Sequence, residues 1–357
     1  MNNALDVLQC GAVTAVGLTA PQTCAAIRAG ISAFQDVYYL APPEEPIVGC
    51  HVPASKRLKR SAAEWLIHLG VRAIRECLQG QGQPERTALL VNLPEVHRDH
   101  PAFSEVTPEH LLSRIQESLG CRFATSQCLQ EGHAGVFQAL EGAREILRSG
   151  RAEFCCIGGI DSLLNGSDIE RLRKSYRIHR PDNSWGLVPG EAAAFVLLAL
   201  EGHTATHLAR VKGIGISAED DTILGPHFSQ GRGLQRALSL ALKDAAVEES
   251  TIALRISDAN GERYRALESV MAETRFYRSR REHFPCWYFV PSVGDVWAAA
   301  GSLALVVACM AMVKGYAPGS FAMCEGSSDT GLRGACLIEK PTGANLSNTG
   351  LFMSMQI

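Results

Sequence analysis

Two hydrophobic spacings alternate along the chain. Short runs that are apolar on nearly every residue predict buried strands at residues 4–13, 87–93, 123–129, 154–158 and 192–200. A second set follows at 209–217, 252–257, 288–291, 321–324 and 334–339. Between them, apolar residues recur at three- and four-residue intervals. That spacing predicts helices at 21–29, 62–78, 108–119 and 134–149, then at 233–246, 263–276 and 296–313. Gly30 is a stop signal for the first helix, residues 80–84 (Gly-Gln-Gly-Gln-Pro) form a turn, and 38–53 is Pro-rich and irregular. Strands buried on both faces and alternating with helices predict an α/β fold whose sheets are covered on both sides. The order of elements recurs, each half running to a central apolar helix and then to closing strands. The expected division is an N-terminal half, 1–200, and a C-terminal half, 201–357.

Composition narrows this picture. The chain has 357 residues, 46% hydrophobic and 20% charged, which fits a globular protein with ample core. A formal charge of −3 gives no drive toward nucleic acid or an anionic membrane, and neither is expected as a partner. The start lacks a basic segment followed by an apolar one, so no signal peptide is expected. Residues 296–313 carry no charge and reach the lower limit for a membrane span. The run stands alone, contains Gly301 and Ser302, and reads as a buried core helix. None of the 12 cysteines forms C-x-x-C, so neither zinc nor thioredoxin-type chemistry is signalled, and no metal or cofactor is expected. Free thiols in a reducing cytoplasm fit best. The adjacent Cys155 and Cys156 point to opposite faces of a strand and suit packing.

The candidate chemistry lies at residues 130–135, Gln-Glu-Gly-His-Ala-Gly, between a predicted strand and a predicted helix. Backbone N–H groups at such an elbow favour an anion, and the helix dipole disfavours imidazolium at His133.

Several segments then fall into a recognisable order: Gly-Ala-Val-Thr-Ala-Val-Gly at 11–17, Leu-Arg-Ser-Gly at 147–150 with Ile-Gly-Gly at 157–159, Val-Pro-Gly-Glu-Ala-Ala-Ala at 188–194, and the stretch 211–244. In that order and spacing they resemble a β-ketoacyl synthase of the thiolase fold over nearly the whole chain. The resemblance implies two pseudo-symmetric βαβαβ halves stacked as five layers, α-β-α-β-α. It implies a dimer paired through the strand at 123–129. It also implies decarboxylative condensation by one cysteine and two histidines. Matched position by position, His133 stands where the family has its cysteine. The Glu-Ala-His-Gly-Thr motif falls on Asp258-Ala-Asn-Gly-Glu262, so Asn260 replaces the first histidine. The Gly-His motif falls on Gly294-Asp295, so Asp295 replaces the second. The C-terminal Gly-Phe-Gly-Gly-Thr-Asn motif falls near Cys324–Asp329 with little retained.

These replacements oppose condensation. An acyl-imidazole hydrolyses readily and stores a chain poorly. Asn260 can still donate to an oxyanion. Asp295 suits a helix cap, but as an anion it repels a malonyl carboxylate or an enolate. The expectation is a catalytically degenerate, non-condensing ketosynthase-like protein acting as a dimeric binding, scaffold or accessory subunit. Its partner would be a second copy, a ketosynthase-like subunit, an acyl carrier protein or a secretion-complex component. The alternative is a residual acyltransferase or thioester hydrolase in which Asp295 and Asn260 support His133. Whether the acyl pocket is open or filled is not legible at this level. Cys128, five residues before His133, reads as a core or interface thiol rather than a substitute nucleophile. His179 and His227 have no partner spacing. Two basic clusters read as solvated helix ends or loops, with docking of an acidic carrier as the second reading. They are Lys56, Arg57, Lys59 and Arg60, and Arg275, Arg278, Arg280 and Arg281.

Overall fold

Every residue of the first strand, β1 (Leu5–Thr14), is buried except the half-buried Gln9, because β1 lies in the middle of a ten-stranded sheet. The structure is a computed structural model that describes residues 4–37, 46–54, 60–81 and 83–341. Lys56, Arg57, Lys59, Gly82 and part of the Pro-rich stretch lie outside the described residues. After β1 come α1 (Ala20–Arg28), the small antiparallel pair β2 (Gln35–Val37) and β3 (Ile47–Gly49), and α2 (Ala62–Cys77). Then follow β4 (Thr87–Asn92), α3 (Ala102–Glu105), α4 (Pro108–Leu119), β5 (Thr125–Leu129), α5 (Gly135–Arg148), β6 (Phe154–Ser162), α6 (Gly166–Lys174) and β7 (Glu191–Leu200). The remainder runs β8 (Ala209–Ala218), α7 (Arg232–Ala245), β9 (Ile252–Ser257), α8 (Arg263–Phe276), β10 (Cys286–Tyr288), α9 (Val290–Val293), α10 (Ala300–Val313), β11 (Phe321–Ser327) and β12 (Leu332–Glu339).

From the middle of the sheet outward, the strand order is β1-β7-β6-β4-β5 on one side and β8-β12-β11-β9-β10 on the other. Each series runs through the same sequence of corresponding strands, so the repeat of element order is also a repeat of topology. The series meet where Leu5, Asp6 and Val7 pair with Val211, Arg210 and Ala209. Alternation along the strands then sets the layers. Ala192, Ala194, Val196 and Leu198 of β7 pack with α5 and α10, as do Leu254 and Ile256 of β9 and Cys336 and Ile338 of β12. The intervening Ala193, Phe195, Leu197 and Ala199 face α2 and α4. On the other series, Met323, Ala335 and Leu337 face α7 and α8. The result is helices, sheet, central helices, sheet, helices, the α-β-α-β-α arrangement expected. Cys155 and Cys156 fall in different layers as predicted, and all 12 cysteines are free.

Local signals explain the helix ends. Ser61 and Glu64 form a reciprocal capping box on α2. Thr107 caps α4, with a proline in its first turn and Gly120 ending it in the left-handed conformation. The apolar run at 296–313 is indeed a core helix: Ala300–Met312 of α10 are all buried. Among the described residues no helix is long and apolar enough to cross a membrane.

Two expectations need correction, and one element was missed. The run at 288–291 is not a strand; β10 ends at Tyr288 and residues 290–293 turn into α9, with Pro291 in its first turn. The last apolar helix does not begin at 296, because residues 297–299 form a separate 3-10 turn. Helix α6 was not anticipated at all. Its buried face is only Asp168, Ile169 and Leu172, too short an apolar stripe to show as periodicity.

The second basic cluster is largely engaged within the chain. Arg275 donates to the Gln230 carbonyl, Arg278 to that of Arg275 at 3.0 Å, and Arg281 to Glu249. The two outer strands differ. β5 has five residues, none charged and none fully buried, whereas β10 has three.

Candidate functional site

The elbow is built by close packing of backbone. Gly132 takes φ +64°, and a Cβ there would overlap the Glu95 carboxylate. Asn92, at the end of β4, donates from Nδ2 to the carbonyls of Gly132 (2.7 Å) and Ala298 (2.9 Å), and its Oδ1 accepts from Glu131 N–H (3.1 Å). The Ala134 N–H donates to Ser328 Oγ at 2.9 Å. The turn before α5, the turn before α10 and the β11–β12 turn are thereby tied into one corner.

His133, Asn260 and Asp295 all reach this corner, each at most 5% exposed. His133 Nε2 lies 2.9 Å from Asp295 Oδ1. Asn260 Nδ2 donates to Asp295 Oδ2 at 2.6 Å and to Glu262 Oε2 at 2.9 Å. Asp295 Oδ1 also accepts the Trp297 N–H at 2.9 Å, so the cap-like role and the histidine partnership coexist in one carboxylate.

Sequence reasoning missed the residues that enclose this trio. The Trp297 ring lies 4.8 Å from the His133 ring. Its Nε1–H donates to Glu95 at 2.5 Å, and the guanidinium groups of Arg98, Arg171 and Arg177 surround its ring at 4.8, 5.3 and 5.5 Å. Trp297 holds φ +44°, a strained value for a bulky side chain. Arg265 Nη2 lies 3.3 Å from His133 Nδ1 and donates to Asp329 at 3.1 Å. Arg177 donates to Glu262 at 2.6 and 2.9 Å and also pairs with Asp329. These partners are 64 to 152 residues apart in sequence, and no local spacing announces them.

The electrostatics follow from this enclosure. Burial alone would lower the His133 pKa, but the Asp295 charge and hydrogen bond outweigh it, and the imidazole is held above its ordinary value. The helix-dipole expectation is therefore corrected, since a carboxylate in contact outweighs a helix end. For Asp295, burial acts upward, yet His133, Arg265 and Asn260 together hold the carboxyl well below its usual range. Asp329 is likewise depressed, burial being overridden by Arg177 and Arg265. Asp258 moves the other way, because burial prevails over Arg265.

In the neutral tautomer, Nε2–H donates to Asp295 and the Nδ1 lone pair accepts from Arg265. Neither ring nitrogen then faces open space. Two surface cavities, of about 670 and 640 Å3, lie elsewhere. The first runs between β5 and α5, past Gln127, Leu129, Glu141 and Glu145; the second lies at the end of α4. Neither is lined by His133, Asn260 or Asp295. Cys128 does not join the site. Its S–H donates to the Pro108 carbonyl at 3.3 Å, and burial pushes the thiol up to about 12. No group of three or more His, Cys, Asp or Glu residues able to hold a metal occurs among the described residues.

These shifts predict a two-sided pH profile. Depressed carboxylates stabilise the fold above their ordinary value of 3.8, and that contribution disappears as pH falls toward their folded pKa. The raised imidazole acts oppositely: its contribution is complete below 6.5 and is lost as pH rises through its folded pKa. Urea midpoints measured across pH should therefore fall on both sides. Asp329→Asn should flatten the acid limb and His133→Asn the alkaline one. Unchanged limbs in both variants would contradict the ion-pair assignment.

The comparisons with known proteins agree with this architecture. The model of the β-ketoacyl synthase C-terminal domain matches residues 208–323, a stretch that includes Asn260 and Asp295 but not His133. No curated protein sequence matches the chain. Among solved structures, the chain is similar to one described as a type II PKS acyl-carrier protein in complex with its ketosynthase bound to the hexaketide. The TM-score is 0.80 at 15% identity, over 96% of this chain and 100% of that one. It is also similar to the ishigamide ketosynthase/chain length factor (TM-score 0.76, 16% identity, 96% and 100% coverage). A third is a β-ketoacyl synthase from Burkholderia phymatum STM815 (TM-score 0.74, 18% identity, 96% and 100% coverage). At these identities the likeness is one of fold: the chain has the thiolase-like fold of the ketosynthases.

Proposed function

We propose that the protein is a non-condensing, ketosynthase-like binding or accessory subunit. The observation that carries this reading is the closed His133–Asp295–Asn260 constellation. His133 and Asp295 stand where the resemblance puts the acyl-accepting cysteine and a histidine, and they bind each other at 2.9 Å with both side chains buried. A group that must take an acyl chain needs an exposed lone pair and room for the chain. Asp295, held as an anion, opposes the negative charge that decarboxylation develops.

Partner classes follow from fold and edge. The solved relatives include a ketosynthase with its acyl carrier and a ketosynthase paired with a chain length factor. The half-exposed β5 edge fits pairing with a second copy or with a ketosynthase-like subunit in the cytoplasm. Incubation with acyl-carrier thioesters followed by intact mass is expected to show no acyl adduct. An adduct that disappears in His133→Ala or Cys128→Ala would end this reading.

One observation favours a second reading. A His–Asp pair backed by an amide at 2.6 Å is the skeleton of a general base. Thioester turnover abolished by Asp295→Asn would support a hydrolase; a broad acyl panel without turnover would dismiss it.

A further inference from the structure

Three residues of the loop at 175–187 depart from the usual arrangement of a surface loop. Their aromatic side chains point outward, with Tyr176 60% and Trp185 57% exposed, while the charged Arg177 points inward and is 9% exposed. The loop finds its backbone partners within itself and at the end of α6. Arg177 N–H donates to Leu172 O, Leu187 N–H to Arg177 O, and His179 N–H to Leu187 O, while Arg180 and Asn183 exchange backbone bonds. Asn183 Nδ2 fastens the loop to the carbonyls of Tyr176 (2.8 Å) and Ile178 (3.1 Å).

Its apolar contacts belong to a small separate cluster in which Ile178 and Leu187 pack with Trp297, the residue stacked on His133. The preceding helix, α6, is anchored independently by Arg98 on Asp168. Among the described residues, the loop's own ion pairs to the body run through Arg177, to Glu262 and Asp329. The loop begins at Tyr176, a non-glycine residue at φ +57°.

We infer that residues 175–187 form a lid over the His133 corner, latched by Arg177 and hinged at Tyr176, that opens as a local unit. Opening exchanges the Arg177 ionic seal and the packing of Ile178 and Leu187 on Trp297 for water, and the loop's own backbone bonds, no longer sheltered, become open to exchange. It also relaxes the backbone at Tyr176 and uncovers Trp297 and the elbow. The proposal goes beyond the accessory-subunit reading and does not depend on it, because acyl uptake tests that reading and leaves the lid untouched.

Hydrogen exchange of the full chain, read by mass spectrometry, tests it. In the unmodified protein, amides of 177–187 and of the 131–135 elbow are expected to exchange at least about tenfold faster than those of α10. Arg177→Met should accelerate both segments together by a further factor of about ten and leave α5 and α10 unchanged. Tyr176→Asn, which tolerates a positive φ better, should slow opening roughly threefold. Exchange of the loop only at the rate of α10 would overturn the lid. So would an Arg177→Met variant that accelerates every segment alike, which would make Arg177 an ordinary structural residue.

Discussion

Arg98→Met is expected to lower the unfolding free energy by about 3–5 kcal/mol, the range for stripping one partner from a buried ion cluster. Arg98 is 1% exposed and donates to Asp168 at 2.7 and 3.1 Å and to Asp161 at 2.5 Å. Asp161 in turn accepts the Ala298 N–H at 3.1 Å, at the turn that opens the central helix. Burial acts to raise the Asp168 carboxyl, but Arg98 overrides it and holds the group well below the usual range. Without the guanidinium, Asp161 keeps only backbone donors, Asp168 keeps only Arg171 and Asn165, and the Trp297 ring loses the nearest cation on its face. The urea midpoint should drop with the slope unchanged. Adding Asp161→Asn should recover part of the loss, because it removes the carboxylate left without a cation. A single variant with the parental midpoint would show that the cluster contributes nothing to stability.

The second large effect is expected in the central layer. Phe137 of α5 is fully buried and packs where Gly301 of α10, Gly326 of β11 and Gly334 of β12 leave out a side chain. Phe137→Ala should cost about 3–5 kcal/mol through lost burial and the cavity left behind. The converse substitution, Gly334→Ala, puts a Cβ into the ring and should also destabilise. The two changes should be strongly non-additive, the double variant losing less than the sum, because removing the ring makes room for the methyl group. Additive midpoints would mean that ring and glycine are not in contact.

The elements that read well in sequence are those whose burial is carried by their own apolar spacing. α4, β9 and α8 lie at the expected 108–119, 252–257 and 263–276. The two central helices were visible because one is apolar throughout and the other strongly periodic. α6 was not, because a distant arginine holds its buried face through Asp168. The same contrast runs through the site. His133, Asn260 and Asp295 were singled out because the resemblance to the family's motifs assigns their positions, and the structure brings all three together. Arg177, Arg265 and Asp329 were not, because ion pairing leaves no periodic trace when partners lie on different layers. The burial of all three side chains was equally hidden. Hydrophobic periodicity reports which face of an element is covered, but not whether the space beside a particular side chain is filled. Trp297 follows Asp295 by only two residues, yet its inward direction depends on a backbone conformation that its residue type disfavours.

The short seam between β1 and β8 has a consequence for assembly. Two separate five-stranded sheets would offer four open edges; joining them leaves two, β5 and β10. These are unequal, five residues against three, so an added strand finds a full ladder only at β5. Head-to-tail growth, in which the β5 edge of one molecule meets the β10 edge of the next, would build an open filament, and the stub at β10 denies it a matching ladder. The proposed pairing of this chain with a second copy would then put β5 against β5, a self-complementary contact that uses up the long edge of both molecules and stops at two.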